Sequence, residues 1–178
     1  MSKLDFYEID LKYLEYLKTY GDSKVPNYDY KNTKFYVGII LEINGFKYFA
    51  PVSSFNEKQR TNFLIKVKDR DSQELVTVSS VRLSFMIPVD DTVIKRFSIN
   101  DYWNFKSRSL IRKELSWCRE NAESIKKLAQ KVYKWGCNEK SYQYKNCCDF
   151  RKLEIAYNNY CKQREVAITS TEKENDDK

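Results

Sequence analysis

The stretch YVGIILEINGFKYFAPVSS, Tyr36 to Ser54, decides the fold. Asn44-Gly45 supplies the positive φ angles of a two-residue hairpin turn, and the β-branched and aromatic residues on either side suit a half-buried sheet. Two strands close on that turn, and the second carries Ser53 and Ser54 out of the sheet. Beyond them the chain runs Phe55, Asn56, Glu57, Lys58, Gln59, Arg60, so hydroxyls stand beside cationic and amide donors, as a phosphate-holding loop requires. Serines at strand ends often do no more than satisfy stray backbone groups, and the two roles are separated only by what surrounds them.

Working outward, Leu4 to Ile9 reads as a first strand. Asp10 to Tyr20 reads as a helix stopped by Gly21, with Leu11, Leu14 and Leu17 as its buried stripe. Ser23 to Lys34 has no periodicity and is rich in Tyr, Asn and Lys, the composition of a long functional loop. After the hairpin, Phe63 to Val67, Leu75 to Val78 and Val81 to Phe85 read as strands, Asp69 to Ser72 as a turn, and Pro88 as the end of the sheet region. From about Ser98 the period is helical. Ile111, Leu115, Cys118, Ala122, Ile125, Ala129 and Val132 alternate by four and three as one apolar seam, and Gly136 ends it. A last helix, about Asp149 to Lys162, buries Phe150, Leu153, Tyr157 and Cys161. A β-rich middle followed by helices is an α+β order.

At 178 residues the chain suits one domain, and its ten Phe, fourteen Tyr and three Trp supply much of a core. No apolar run is long enough to span a bilayer and no charged-then-apolar leader opens the sequence, so the expected setting is the cytoplasm, with no membrane partner. The five cysteines, odd in number, then read as reduced thiols. There is no His, and Cys147 and Cys148 are adjacent, which speaks against a tetrahedral zinc site and a Cys-His nucleophile pair. Asp69, Asp71, Asp90 and Asp91 stand in turn-like contexts where acids are common for local reasons. No metal and no cofactor is expected. The net charge of +7 suits a polyanionic partner. Residues 166–178 read as a disordered polar tail behind a single domain of residues 1–165, since the last ten carry four acids against two lysines and no aromatic.

Three segments in order, Lys24 to Lys34 (KVPNYDYKNTK), the hairpin, and Ser84 to Val89 (SFMIPV), together resemble the ToxN/AbiQ family of type III toxin-antitoxin endoribonucleases. Phe6, Tyr7 and Ile9 fit the opening F-Y-x-I of that family, Val37 to Ser54 fit its V-G-I-x-L-E-I-x-G-x-K-Y-x-A-P-L-[ST]-S almost position by position, and Met86 to Val89 fit M-I-P-[IV]. Cys148, Asp149, Phe150, Leu153 and Glu154 fit the start of its last helix. The resemblance covers roughly residues 5 to 162. It implies a strongly twisted, mostly antiparallel, partly barrel-like sheet flanked by helices, as in MazF-like toxins.

The same resemblance implies an enzyme of phage defence that cuts A-rich RNA of cell or phage without a metal ion. Its antitoxin would be a small pseudoknot RNA, cut from tandem repeats and held in a closed ring of toxin and RNA. The residues agree with the chemistry. Attack of a 2′-hydroxyl on its own phosphodiester needs a base, charge stabilisation on the phosphate and a proton for the leaving 5′-oxygen. With His absent, Lys, Tyr, Ser, Asn and Arg remain, good for binding and orienting a phosphate but poor bases, so catalysis would be slow and dominated by positioning. Carried over position by position, the family's site falls on Lys34 and Ser54 at the scissile phosphate, Ser53 in positioning, and Tyr30 in base stacking or proton transfer. The family's S-P-K is absent, since Phe55 and Asn56 follow Ser54. Lys58 or Arg60 is expected to replace the lost cation, with Asn56 keeping a hydrogen bond. Lys31, Lys66, Lys68, Arg82, Arg108 and Arg112 complete the expected RNA grip. The competing reading is a basic RNA-binding module without catalysis, in which Lys34, Ser53 and Ser54 only touch backbone.

Overall fold

The computed structural model describes residues 4–26, 33–69, 71–101 and 104–176. The hairpin is its spine. Strands β2 (Thr33–Ile43) and β3 (Phe46–Ser53) pair antiparallel from Ile43↔Phe46 to Thr33↔Ser53. Asn44 and Gly45 turn the corner with φ of 52° and 81°, as two-residue hairpins require. Gly38 has a packing reason, because a Cβ there would lie 2.5 Å from the ring of Phe49 across the pair.

On the far side of β2 lies β1 (Asp5–Ile9), followed by β7 (Ile94–Arg96). On the far side of β3 lie β5 (Leu75–Arg82) and β6 (Ile87–Val89), and β4 (Asn62–Lys68) edges β5. The order is β4-β5-β3-β2-β1-β7, with β6 paired to β3, and every pairing is antiparallel. Its end strands β4 and β7 do not meet, so the seven-stranded sheet is open and the expected partial closure into a barrel is not seen.

Pro88 does not end the sheet. It sits inside β6 opposite Tyr48, and β7 comes later. A three-residue strand at the edge of β3 tolerates the missing N–H, and the Pro88 carbonyl accepts a 2.6 Å hydrogen bond from the Tyr13 hydroxyl. The two short strands expected before it are one, β5, broken from β6 by a 3-10 turn at Leu83–Phe85.

Helix α1 (Leu11–Tyr20) is capped by Asp10, whose carboxylate accepts from the Tyr13 amide at 3.1 Å. Its buried stripe is Tyr13, Leu14 and Leu17, while Leu11 is 56% exposed. The single apolar seam expected from Ile111 to Val132 is divided between α2 (Phe105–Glu120) and α3 (Ala122–Gly136). Asn121 makes the break, because its side chain donates to the Trp117 carbonyl at 2.9 Å, and Asn competes for backbone groups in this way. Helix α4 (Phe150–Asp176) does not end near Lys162. Neither Gly nor Pro follows to stop it, and its backbone is helical through the polar segment to residue 176.

Helix and sheet are tied by polar bonds inside an aromatic core. Tyr48 of β3 and Tyr133 of α3 both donate to Glu154 Oε1 of α4, at 2.8 and 2.7 Å, and both rings lie edge-on or stacked against Phe150. Burial and the neighbouring Glu154 carboxylate raise both phenol pKa values, so they stay donors. All five cysteines are free thiols, and Cys118, Cys147 and Cys148 are buried.

Candidate active site

Ser53 ends β3 flanked by both neighbours, opposite Thr33 of β2 and Ser80 of β5. It is buried, and its Oγ accepts from the Phe55 amide at 3.1 Å. Ser80 donates to the Phe55 carbonyl at 2.6 Å. Two serine hydroxyls on adjacent strands thus fix both backbone groups of Phe55. Ser54, between them, is exposed.

The rest of the loop is wound around one buried amide. Asn62 accepts from the Gln59 amide at 2.9 Å and donates to the Glu57 carbonyl at 2.8 Å, while Lys58 Nζ reaches the Asn62 carbonyl at 3.4 Å. Such side-chain bonds do for a loop what a ladder does for a strand. Asn56, Lys58 and Arg60 are exposed on it.

Phe55 turns its ring onto Arg82, the last residue of β5. The guanidinium carbon lies 4.5 Å from the Phe55 centroid and 5.0 Å from that of Phe85, within cation–π range of both rings. Arg82 is half-buried, and its Nε is buried with no hydrogen-bond partner. It enters no ion pair among the described residues. Burial lowers its pKa, but a guanidinium starts so high that it stays charged.

Two hollows meet at this side chain. One, of about 340 Å³, is lined by Lys18, Lys24, Pro51, Ser53, Phe55 and Arg82 among others. The second, of about 560 Å³, is lined by Lys24, Arg60, Arg82, Ser84, Phe85 and Lys145 among others. Lys24, Arg82 and Phe85 line both, and no acid lines either among the described residues. The smaller falls within the roughly 300–1,000 Å³ usual for ligand sites.

The segment before the hairpin is anchored from the other end of the chain. Asp22 accepts from the Lys24 amide at 2.8 Å and from the Asp149 amide at 2.7 Å, and Asp149 in turn caps α4 through the Lys152 amide at 3.1 Å. Lys24 Nζ donates to the Cys147 carbonyl at 2.7 Å. The Cys147 thiol is pushed up to about 11 by burial, so it is no nucleophile at neutral pH.

The sequence-based candidates therefore separate into groups. Ser53, Ser54, Asn56, Lys58, Arg60 and Arg82 share one edge of the sheet. Thr33 and Lys34 belong to β2 rather than to the preceding loop, and the Thr33↔Ser53 pairing brings the Lys34 backbone to the same edge. Tyr30 and Lys31 lie outside the described residues. Lys66 and Lys68 run toward the far end of β4, where Lys113 of α2 meets the Lys68 carbonyl at 3.5 Å. Arg108 and Arg112 lie on α2, both bonded to Asn100. They stand apart from the serines. Lys18, Lys24 and Phe85, not singled out by sequence reasoning, complete the hollows. Lys24 had a sequence signal as the cation of K-V-P and Phe85 as a member of SFMIPV, whereas Lys18 had none.

No group of three or more Cys, Asp or Glu is placed to hold a metal ion among the described residues. No described helix is long and apolar enough to cross a membrane.

The family model described as Toxin ToxN, type III toxin-antitoxin system, matches residues 5–158. The chain is 30% identical to Endoribonuclease ToxN of Pectobacterium atrosepticum over 170 residues, 91% of this chain and 96% of that protein. Among solved structures it resembles a bacterial type III toxin selectively inhibited by a non-coding RNA pseudoknot, with a TM-score of 0.74 and 30% identity over 89% of this chain and 98% of that one. It also resembles AbiQ, a lactococcal anti-phage endoribonuclease of a type III system, with a TM-score of 0.77 and 25% identity over 90% of this chain and 99% of that one.

Proposed function

Because this chain belongs to the ToxN family of type III toxin-antitoxin toxins, it is an RNA-cutting enzyme, and we propose that it cleaves A-rich RNA by metal-independent attack of a 2′-hydroxyl. The 2′-oxygen bonds to phosphorus as the bond to the 5′-oxygen breaks. The 2′-hydroxyl loses its proton and the leaving 5′-oxygen gains one, so the products are a 2′,3′-cyclic phosphate and a 5′-hydroxyl.

The observation that supports this most is the pair of hollows at the end of β3, lined by cations and by no acid among the described residues, with exposed Ser54 on a loop held by Ser53, Ser80 and Asn62. Lys34 and Ser54 are assigned to the scissile phosphate, Ser53 to positioning, and Tyr30 to base stacking or proton transfer. A fixed phosphate with donors already in place contributes by positioning and electrostatics, which do not need a strong base.

The antitoxin in this reading is a folded RNA pseudoknot, cut and then retained by the toxin in a closed assembly in the cytoplasm. Folded RNA is held through its phosphates and its unstacked bases through aromatic faces. Lys31, Asn56, Lys58, Arg60, Lys66, Lys68, Arg82, Arg108 and Arg112 supply the grip. The toxin unit is residues 1–165, with 166–178 outside the RNA-binding part, and the sheet is an open relative of the MazF-like core.

The test is incubation of the pure protein with A-rich RNA in excess EDTA, followed by end analysis of the fragments. Discrete fragments ending in 2′,3′-cyclic phosphate are expected. A strict requirement for a divalent ion, or 3′-hydroxyl ends, would overturn the mechanism.

A further inference from the structure

Arg82 is the cation whose environment is hardest to explain by folding alone. Ion pairs anchor Arg96 and Arg119, and hydrogen bonds to Asn100 anchor Arg108 and Arg112. Arg82 instead lies over the rings of both Phe55 and Phe85, and its buried Nε has no hydrogen-bond partner among the described residues. An unpaired half-buried guanidinium is costly, because its donors are partly removed from water with nothing in return. Stacking holds the plane and leaves the fork of N–H donors to an incoming ligand, and that fork matches a phosphate bidentately.

Its place in the fold defines which phosphate. Phe55, which stacks on Arg82, follows directly on Ser54 and is held by Ser53 and Ser80. Arg82 separates the two hollows and lines both. A strand with one phosphate at Ser54 has Arg82 as a neighbouring cation for the next, through Phe55, the residue after Ser54.

We propose that Arg82, held over the rings of Phe55 and Phe85, anchors the RNA phosphate adjacent to the scissile one and so positions the substrate strand across the two hollows. This rests on the cleavage reading above for the identity of the neighbouring phosphate. Arg82 is a positioning residue. Arg is required because Lys carries charge without a planar fork and stacks less well on two rings.

The test uses a short A-rich RNA with 2′-O-methyl groups throughout, which no 2′-attack cuts, so binding is measured whether or not the protein cleaves. In R82M the Kd is expected to rise roughly tenfold, in keeping with loss of one charge-assisted bidentate contact. The slope of log affinity against log salt is expected to become shallower by about 0.7, the value for one phosphate on a single strand. A merely structural arginine would not move that slope. Replacing phosphates one at a time by neutral methylphosphonate should reveal one position whose loss weakens wild type about tenfold and R82M not at all. R82K should fall between wild type and R82M, and it carries the same scan should R82M unfold below the assay temperature. An unchanged slope in folded R82M, or equal methylphosphonate effects in wild type and variant at every position, overturns the proposal. Wild-type protein that binds the probe in this Arg82-dependent way but never cuts unmodified RNA would instead overturn the cleavage reading and leave the anchor standing.

Discussion

The protein has a third basic hollow, larger than the two at the serine loop, and the comparison shows what makes cations available. About 620 Å³ in volume, it is lined by Asp5, Ile99, Asn100, Arg96, Arg112 and Arg119 among others. Its three arginines share the hollow with one acid, whereas three and four cations line the two hollows at the serine edge with no acid among the described residues. Asp5 pairs with both Arg96 and Arg119, Arg119 Nε also donates to the Leu4 carbonyl at 2.7 Å, and Arg112 donates to Asn100 at 2.7 Å. Here the guanidinium groups fasten β1, β7 and α2 to one another. At the serine edge the aromatic rings hold Arg82 and the backbone bonds hold the loop, so the charge itself is left unspent. Size alone, which favours the Asp5 hollow, says nothing of whether its cations are available.

The largest contrast should lie inside the serine pair. Ser54→Ala is expected to lower cleavage on the order of 10²-fold or more, the scale of losing a donor to a transition-state oxygen, with the unfolding midpoint unchanged, since Ser54 is exposed. Ser53→Ala removes the acceptor of the Phe55 amide, so it should cost about 1 kcal/mol of stability and lower cleavage less. Denaturant titration beside initial rates separates the two. Equal rate losses from both, or a destabilised S54A with full activity, would dissolve the distinction between a serine that holds and a serine that acts.

How much of this was legible depends on the range over which each cause acts. The hairpin was readable because Asn44-Gly45 fixes its own backbone. The first strand, α1 and the α+β order followed from local period in the same way. Misreadings occur where a distant partner decides. Leu11 fits the helical stripe, but Tyr13 reaches Pro88 and turns the buried face toward itself. The seam from Ile111 to Val132 keeps its period across Asn121, although two helices form. Pro88 lies in a strand because β3 has a free edge there. At the site, the serines and their loop were visible as a string. The placing of Arg82 over Phe55 and Phe85 was not, since the β3–β5 pairing brings Phe55 from 27 positions away and the 3-10 turn Leu83–Phe85 brings Phe85 from 3. Lys58, expected to replace a missing loop cation, is turned to the Asn62 carbonyl.

The smallest expected effect asks whether the paired hollow can be made to behave like the open one. Asp5→Asn keeps an oxygen to accept from the Phe6 amide, as Asp5 Oδ1 does now at 3.0 Å, while removing the charge shared by Arg96 and Arg119. Arg96 is 73% exposed at its side chain, but Asp5 is 14% and Arg119 28% exposed, so the Asp5–Arg119 contact sets the stability loss, about 1–3 kcal/mol. Removing one negative charge frees two guanidinium groups at the surface, and affinity for the uncleavable A-rich RNA should rise about two- to threefold at low salt and return to the wild-type value as salt screens it. The cleavage rate on bound RNA should not change, because this hollow lies away from Ser54. A D5N protein that binds no better at low salt would mean that RNA does not pass this face. A gain that survives high salt would mean that the arginines, once released, make direct phosphate contacts, and that pairing rather than position is what separates the two hollows.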